Sequence, residues 1–564
     1  MSCKAMRWGR VLLAIPLLVY LGVWTGQSAC AAPAGRLAAT PPMGWNDWAH
    51  YQCNFTAATI LANARALVAT GLAARGYDTV TIDDCWMMTK RDGRGNLQPD
   101  PHRFPNGMQP VAAAVHALGL KFGIYEDAGY ETCGGFAGSG EPKGGGTPHF
   151  LSDARLFASW GVDYLKLDGC NIYVPKGESA ADAYRAAYRA ESIALEHVQR
   201  PIVFSESAPA YFQGQPEWYD VLGWVRRYGQ LWREGTDIRI YDAKHPSRSR
   251  FASVLWNYAY NLPLGRFQSP GNWNDPDFII GGDRGMTLAE TRSELALWAM
   301  MSAPLILSSD LERLTPAAVR ILGNRAVLSV DQDPLGRMAT LLRRNPASDV
   351  LMKPLQDGGY AIAVLNRGAA VLPVRLLPAD LGFAGSGCRL DARYLWSGAH
   401  RPAVAALRAE IASHDTAIWT IRPNAACGAP ARIGAVTRIL ADLTDASPSP
   451  SRYTRCLAAA GVSEECTGAA AQRWEIMSSG ALRSGSECLA QRGARAVLTA
   501  CGPAAGQSWH YDLLGRLINS ASRQCLTGPT HGALSVRPCG NNPPSQIWSL
   551  PNSLPVNERA RTGS

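Results

Sequence analysis

The feature that most constrains the fold is a unit that recurs in the first half of the chain: a short apolar run that ends in polar or acidic residues and precedes a helix-length segment. Four such runs occupy residues 77–84, 120–127, 162–168 and 202–207. Near-continuous apolar runs between helical segments are typical of a buried parallel sheet. A (β/α)8 barrel gathers the ends of its strands on one face, so the pattern predicts a TIM barrel with an acidic face.

The rest of the chain follows different patterns, and 564 residues exceed what one hydrophobic core organises. Residues from about 340 to 425 alternate in polarity between turns, which predicts an antiparallel β-domain. A Ser/Pro/Thr-rich stretch at 442–451 is typical of a linker. We therefore expect a multidomain protein with a (β/α)8 barrel at 36–338, an antiparallel β-sandwich at 339–428 and a further domain at 436–552.

A threefold repeat marks this last domain. Each copy begins with Cys-Leu, continues to a second cysteine and ends in Gln-x-Trp, with a period of about 35 to 40 residues. Three such units are expected to close around one core, and the signature resembles the ricin-type β-trefoil. The resemblance implies one disulfide in each copy. The pairs are Cys456 with Cys466, Cys488 with Cys501, and Cys525 with Cys539.

The residue after each Cys-Leu does not decide whether this trefoil binds sugar. Sugar-binding repeats commonly carry an acidic residue there to hold a pair of hydroxyls, whereas this chain has Ala458, Ala490 and Thr527. A structural trefoil and a sugar-binding trefoil therefore remain as alternatives.

The N-terminus predicts export. Lys4, Arg7 and Arg10 precede an apolar run at 11–24 and small residues at 28–32, the pattern of a signal peptide over residues 1–32. No later segment is apolar for long enough to span a membrane, so we expect a secreted or periplasmic protein. Cys30 is an alternative site for a lipid anchor, although Gln27 stands where such signals usually have an apolar residue.

Charge and cysteine usage exclude several classes of partner. The net charge of +9 is modest for this length, and no run of five or six basic residues occurs, so we expect no nucleic-acid partner. Twelve cysteines follow the signal region, and no C-x-x-C pair exists, which favours disulfides over a zinc or redox site. Nothing in the sequence indicates an oligomeric state.

Carboxylates at strand ends, without histidines at metal-ligand spacing, indicate acid–base chemistry on a neutral polar substrate such as a sugar. Any one of these aspartates is equally explained as a helix N-cap. Neighbouring tryptophans offer flat apolar faces on which sugar rings stack. The tryptophans interleaved with the acids are Trp45, Trp48, Trp86, Trp232 and Trp273.

Consecutive motifs between about residues 40 and 340 resemble those of glycoside hydrolase family 27, which contains the α-galactosidases and α-N-acetylgalactosaminidases. The motifs lie at 41–48, 82–86, 123–125, 132–136, 165–170, 232–238, 273–277 and 332–336. The resemblance implies a retaining exo-α-glycosidase that hydrolyses terminal α-linked galactose-type residues by double displacement. Its partner would be a carbohydrate substrate, an α-galactoside or an α-N-acetylgalactosaminide, and it would use no cofactor.

The resemblance also implies residue roles. Asp168 is expected to be the nucleophile and Asp237 the general acid/base, with their carboxyl groups about 5 to 5.5 Å apart. Lys166 and Arg233 would favour the ionised nucleophile, whereas the acid/base needs a raised pKa before the first step. The same two cations would compete with a metal ion at the acid pairs, so no metal site is expected.

Further residues are expected to bind substrate. Asp83, Asp84 and Asp277 resemble acceptors of sugar hydroxyls, and Asp83 and Asp84 can both reach a ligand only if the strand has ended before them. Trp48 and Tyr125 resemble pocket walls, with core packing as the alternative for Trp48. The resemblance also pairs four barrel cysteines in disulfides that clamp the loops beside residues 84 and 168. These pairs are Cys53 with Cys85 and Cys133 with Cys170.

The choice of sugar is left open by residues 204–211, which align with the loop that faces the 2-position of the sugar. Many animal-type α-galactosidases have glutamate and leucine where this chain has Ser207 and Ala210. The small pair resembles the α-N-acetylgalactosaminidase branch, where room exists for an acetamido group. A variable loop in a plain α-galactosidase is the alternative. A non-catalytic sugar-binding protein is an alternative of a different class, but pure binding would not need the full set of acids and cations.

Overall fold

The computed structural model describes residues 36–383, 385–428 and, between 437 and 550, all residues except 439–454, 460, 463–466, 468, 478, 529–532 and 542. The signal peptide predicted at 1–32 and Cys30 lie outside these residues. In the described part of the chain, no helix is both long and apolar enough to cross a membrane.

The first eight strands form a closed parallel barrel, as predicted. Strands β1 to β7 pair in parallel in sequence order, and β1 also pairs with β8. A parallel bridge between Ile279 and Leu307 closes the ring after β7. The strands are β1 (Met43–Asn46), β2 (Thr79–Ile82), β3 (Lys121–Asp127), β4 (Tyr164–Asp168), β5 (Val203–Glu206), β6 (Leu231–Arg233), β7 (Trp273–Asp275) and β8 (Leu305–Leu307).

Helices connect the barrel strands and cover their outer face. Their starts follow ordinary capping chemistry: the Ser179 hydroxyl accepts from Asp182 N before α5, and Thr287 and Glu290 form a capping box at the start of α8. The helices are α1 (Trp48–Tyr51), α2 (Ala57–Ala69), α3 (Gln109–Ala117), α4 (Phe150–Trp160), α5 (Ala180–His197), α6 (Trp218–Val225), α7 (Phe251–Asn261), α8 (Leu288–Met301), α9 (Pro316–Leu322) and α10 (Arg325–Asp331).

Four of the five tryptophans proposed as sugar platforms belong to the core, so that interpretation is wrong for them. Trp45, Trp86, Trp232 and Trp273 have no exposed surface. Their indole N–H groups donate to Ser309 O, Tyr125 O, Asn274 Oδ1 and Ala38 O, respectively. Ring burial and a satisfied N–H are both favourable inside a barrel wall. Trp48 alone stays half-buried.

The next domain is an antiparallel sandwich of a six-stranded and a two-stranded sheet. A disulfide between Cys388 and Cys427, which the motifs did not reveal, ties the segment before β13 to the segment after β16. The only sequence signal for that bridge was the even cysteine count. The strands are β9 (Thr340–Arg344), β10 (Ser348–Pro354), β11 (Tyr360–Asn366), β12 (Leu372–Leu376), β13 (Leu390–Tyr394), β14 (His400–Val404), β15 (Leu407–Ile411) and β16 (Thr416–Pro423).

The C-terminal domain is an antiparallel β-structure with threefold internal repetition. In each repeat the Gln-x-Trp indole donates to the leucine carbonyl of the Cys-Leu pair: Trp474 to Leu457 at 2.8 Å, Trp509 to Leu489 at 2.9 Å, and Trp548 to Leu526 at 3.0 Å. The strands are β17 (Thr437–Arg438), β18 (Arg455–Ala458), β19 (Gly461–Val462), β20 (Glu475–Ile476), β21 (Leu482–Ser484), β22 (Glu487–Arg492), β23 (Arg495–Ala500), β24 (Trp509–Tyr511), β25 (Leu517–Asn519), β26 (Cys525–Thr527), β27 (Ser535–Arg537) and β28 (Trp548–Ser549).

Two of the three predicted trefoil disulfides are present, Cys488–Cys501 and Cys525–Cys539. The third was predicted between Cys456 and Cys466, and Cys466 lies outside the described residues.

Candidate active site

The ends of β2 and β4 bring together a first charge cluster made of Lys166, Asp83 and Asp168. The Lys166 Nζ lies 2.8 Å from Asp83 Oδ2 and 3.7 Å from Asp168 Oδ2. The Asp83 side chain is 1% exposed and also accepts from Asn46 Nδ2, whereas the Asp168 side chain is 17% exposed. One cation therefore holds a buried carboxylate and a more accessible one.

Lys166 stays charged in this setting because of its neighbours. Burial lowers its pKa, but Asp168 and Asp83 outweigh burial and raise the pKa above its usual value. Its ammonium also lies 4.9 Å from the Tyr125 ring centre. Tyr125 itself is fully buried, so in this structure it packs against Lys166 and does not form an exposed pocket wall.

A second charge cluster repeats this arrangement after β6 and β7. The Arg233 Nη2 lies 2.9 Å from Asp237 Oδ1 and 3.0 Å from Asp277 Oδ2. The Asp277 side chain is 2% exposed and that of Asp237 is 76% exposed. Asp277 also accepts from Ile238 N at 2.7 Å and has a left-handed backbone with φ +85°. Such strain in a non-glycine residue is typical of functional sites.

The two carboxyl groups of this second cluster differ in pKa. Burial raises the pKa of Asp277 to about 7 despite the nearby Arg233. For Asp237, desolvation by the surrounding protein raises the pKa, but Arg233 outweighs this effect and holds the pKa below its usual value. The expectation of a raised pKa at Asp237 is therefore wrong for the ligand-free protein, because the guanidinium directly contacts its carboxylate.

Asp84 lies beside the first cluster in a rigid loop. Because β2 ends at Ile82, both Asp83 and Asp84 belong to that loop. The strand has therefore ended before them, as is needed for both side chains to reach one ligand. The Asp84 carboxylate accepts from Cys85 N at 2.6 Å and Gly134 N at 2.8 Å, and burial raises its pKa. A Cβ at residue 134 would approach Asp84 Oδ2 to 3.0 Å, so glycine allows this contact.

Both predicted barrel disulfides are present, and one borders the first cluster. Cys53 pairs with Cys85, and Cys133 pairs with Cys170. The Cys133 Sγ lies 3.9 Å from Asp168 Oδ2. Asp127 and the last two sulfurs also lie close enough together to suggest a metal site, but sulfurs joined in a disulfide offer no thiolate ligands.

Two residues that the motif reasoning did not select also belong to the site. Asp127 pairs in register with Asp168 across β3 and β4, and burial together with Asp168 raises its pKa to about 8. The Tyr211 hydroxyl accepts from Gly169 N at 3.1 Å, which places the loop after β5 beside the nucleophile candidate. Asp127 ended one of the recurring apolar runs, so its position was a usable signal. Tyr211 ends the loop at 204–211 that the resemblance places beside the sugar, but no further signal distinguished it from its neighbours.

Ser207 and Ala210 occupy this same loop. Ser207 follows β5 and is 2% exposed, and its hydroxyl has no hydrogen-bond partner among the described residues. Ala210 is half-buried in the following 3-10 helix, Ala208–Phe212, immediately before Tyr211. The loop therefore offers a buried hydroxyl and little side-chain volume.

Comparisons with known protein families match nearly the whole chain. Residues 40–333 match the family described as Alpha galactosidase A. Residues 345–421 match the Alpha galactosidase C-terminal beta sandwich domain, and residues 453–548 match the Ricin-type beta-trefoil lectin domain.

Individual proteins give the same picture. The chain is 37% identical to alpha-galactosidase A of Aspergillus niger, over 97% of both chains. It is 34% identical to an alpha-galactosidase of Cyamopsis tetragonoloba, over 69% of this chain and 87% of that one. The structure resembles alpha-galactosidase I of Mortierella vinacea with a TM-score of 0.61 and 27% identity, over 70% of this chain and all of the other.

Proposed function

Because this chain belongs to the α-galactosidase family, glycoside hydrolase family 27, we propose that it hydrolyses terminal α-galactosides with Asp168 as nucleophile and Asp237 as general acid/base. The family uses a retaining double displacement. Each of the two charge clusters supplies one of the two reacting carboxyl groups of that mechanism.

The observation that carries the assignment is a shared asymmetry. Lys166 and Arg233 each hold one carboxylate that is almost fully buried and one that is accessible. The two reacting carboxylates must meet the anomeric carbon, the leaving oxygen and water, so we assign the reaction to the more accessible member of each pair. Asp168 and Asp237 are the accessible members, and Asp83 and Asp277 are the buried ones.

In the first step an Asp168 oxygen attacks the anomeric carbon, the glycosidic bond breaks, and Asp237 gives its proton to the leaving oxygen. In the second step ionised Asp237 takes a proton from water, the water oxygen attacks the anomeric carbon, and Asp168 departs. A leaving group seated over Asp237 excludes water and raises its pKa, which offsets the effect of Arg233.

The remaining site residues are proposed to bind the sugar. Asp83 and Asp84 would accept hydrogen bonds from sugar hydroxyls, Asp277 would do so near the reacting carbon, and half-buried Trp48 would form a wall. Lys166 would hold Asp83 in place, and Arg233 would hold Asp277.

A second specificity, for α-N-acetylgalactosaminides, is supported by Ser207. Its buried hydroxyl lacks a partner among the described residues, and an acetamido carbonyl would supply one. The small side chain of Ala210 leaves room for the added group.

Kinetics with two leaving groups tests the roles. Asp168→Asn should lower kcat/KM for 2,4-dinitrophenyl and 4-methylphenyl α-galactosides alike by at least about 10⁴-fold, since neither substrate can form the covalent intermediate. Asp237→Ala should spare the dinitrophenyl substrate, which needs no proton in the first step. Asp357→Asn, on the exposed turn between β10 and β11, serves as control. The reverse pattern would exchange the two roles.

We also propose that the protein is exported, and we assign the bounds of its domains. Five disulfides among the described residues are typical of an oxidising compartment. Residues 1–32 would direct export, 36–338 would form the catalytic barrel, 339–428 the sandwich and 436–552 the trefoil. N-terminal sequencing of the exported protein tests the cleavage site.

A further inference from the structure

We propose that the barrel rim beside Asp237 carries a subsite for an anionic group, a carboxylate or a sulfate ester, on the leaving-group sugar of the substrate. The proposal rests on the proposed function, because the general acid marks the side on which the leaving group lies. The subsite is a cavity of about 480 Å³ formed largely by residues 239–250.

This segment begins directly after the acid and is held firmly. Tyr241 N donates to Ala49 O at 2.7 Å, and Gln52 Nε2 donates to Tyr241 O at 3.0 Å. The segment therefore connects the Asp237 loop to α1, the helix that begins with Trp48. The buried Arg250 joins the two ends of the segment by donating to Arg239 O at 2.7 Å.

The lining carries an excess of unpaired positive charge. Arg239, Lys244, Arg248 and Arg284 line the cavity, are exposed, and form no ion pair within the described residues. The one lining carboxylate, Asp242, is engaged by His245 Nδ1 at 2.8 Å and by Lys244 N at 2.9 Å.

Arg250 is the fifth cation of the lining, but it is already neutralised by Asp283 at 2.7 Å. Four cations therefore remain for a ligand.

An aromatic ring in the cavity wall favours an acidic sugar over a free ion as the ligand. The Tyr241 ring stacks on His50 with centres 4.7 Å apart and planes 2° apart, and Tyr241 contributes to the cavity wall. An aromatic wall suits a sugar ring, and arginine forks suit the paired oxygens of a carboxylate or sulfate. A neutral leaving group would use the wall and leave the cations unused.

Three disaccharides test the proposal: α-galactosyl-(1→3)-galactose, and the same compound with either a carboxylate or a sulfate ester at C6 of the reducing sugar. We expect kcat/KM to be about tenfold higher for at least one anionic substrate than for the neutral one at low salt. Added salt at about 0.5 M should remove the advantage. Which substrate is favoured distinguishes carboxylate from sulfate.

The variant Arg239→Gln/Lys244→Gln/Arg248→Gln/Arg284→Gln should remove the advantage and leave the neutral disaccharide within about twofold of the parent. Arg65→Gln/Arg189→Gln, with exposed cations on outer helices α2 and α5, should keep it. Equal kcat/KM for all three substrates, or an advantage that survives in the fourfold variant, would overturn the subsite. Failure to hydrolyse both the neutral disaccharide and an aryl α-galactoside would instead contradict the proposed function.

Discussion

At the scale of single residues, the chemistry is organised by two cations that each serve two carboxylates. Arg233 contacts Asp237 and Asp277, yet the pKa of Asp237 is lowered and that of Asp277 is raised to about 7. At Asp277, burial outweighs the effect of Arg233 on the pKa, whereas at Asp237 the effect of Arg233 outweighs that of desolvation. The acid/base is thus ionised until a leaving group covers it.

Removing the cation should change the pH dependence in a defined direction. Activity needs protonated Asp237 in the first step, so kcat/KM falls as pH rises through its pKa. Arg233→Gln removes the group that lowers this pKa, so we expect the alkaline limb to move up by about one pH unit while kcat falls. The measurement is kcat/KM against pH with 4-methylphenyl α-galactoside, whose leaving group needs the proton. Arg422→Gln, which breaks an exposed pair with Asp357 in the sandwich, should leave the limb in place.

Sugar choice is also decided at this scale. If Ser207 and Ala210 face the 2-substituent, the protein should hydrolyse aryl α-N-acetylgalactosaminides at rates comparable with α-galactosides. Ser207→Glu/Ala210→Leu should shift preference toward α-galactosides by about 1 to 3 kcal/mol, read from the ratio of kcat/KM values. Ser207→Ala, which removes the hydroxyl but adds no volume, separates the lost hydrogen bond from the lost space. A parent that rejects the acetamido substrate would leave a plain α-galactosidase.

The positions of the site residues could be predicted because strand-end carboxylates and ordered motifs are local signals. The position of Lys166 in β4, two residues before Asp168, and the loop position of Asp84 follow from the same local rules. The state of Asp237 could not be predicted, since its pKa depends on a contact with Arg233 formed only in three dimensions. Composition alone likewise does not distinguish a tryptophan inside a barrel wall, such as Trp86, from one beside a ligand, such as Trp48.

At the scale of elements, α8 links the site to the sandwich. Its Trp298 indole donates to Asp277 O at 2.9 Å, and its Ser293 hydroxyl bonds with Thr416 Oγ1 at 2.7 Å. The helix is buried almost throughout, and it includes fully buried Glu294. A sequence periodicity search would not find such a helix easily, because it lacks a clear polar face.

Glu294 makes stability depend on pH. Burial raises its pKa to about 8, above the value of about 4.3 in an unfolded chain. The folded state therefore binds a proton that the unfolded state has lost, so the contribution is present below about pH 4 and is lost as pH rises through 8. We expect the free energy of unfolding to fall between pH 5 and 8. In Glu294→Gln this fall should be smaller by up to about 1.4 kcal/mol per pH unit, and an unchanged slope would contradict the assignment.

At the scale of the whole molecule, Arg266 joins the barrel to the trefoil. Its Nε donates to Leu513 O at 2.9 Å and its Nη2 to Leu514 O at 3.2 Å, while Nη1 donates to Pro263 O at 3.0 Å. Leu514 and Ile547 of the trefoil belong to the same apolar cluster as the barrel core. The domains could be predicted from their repeats and periods, but this joint could not, because its residues are far apart in sequence.

Loss of the trefoil should cost stability more than catalysis. A chain ending at residue 430 retains every proposed catalytic residue but leaves Arg266 without two carbonyl partners. We expect kcat/KM for an aryl α-galactoside within about threefold of the parent, and a loss of about 2 to 4 kcal/mol in the free energy of unfolding. A chain ending at Leu550 is the matched control. Equal unfolding curves for the two shortened chains would show that the joint contributes nothing.

The central claim is that Asp168 forms the covalent intermediate, and trapping that intermediate tests it most directly. The parent protein is incubated with 5-fluoro-α-galactosyl fluoride, whose fluorine slows the second step, then digested and analysed by mass spectrometry. The account predicts one fluorogalactosyl group, attached to the Asp168 side chain. Attachment to any other carboxylate, or turnover that first releases the inverted anomer with no adduct, would contradict it.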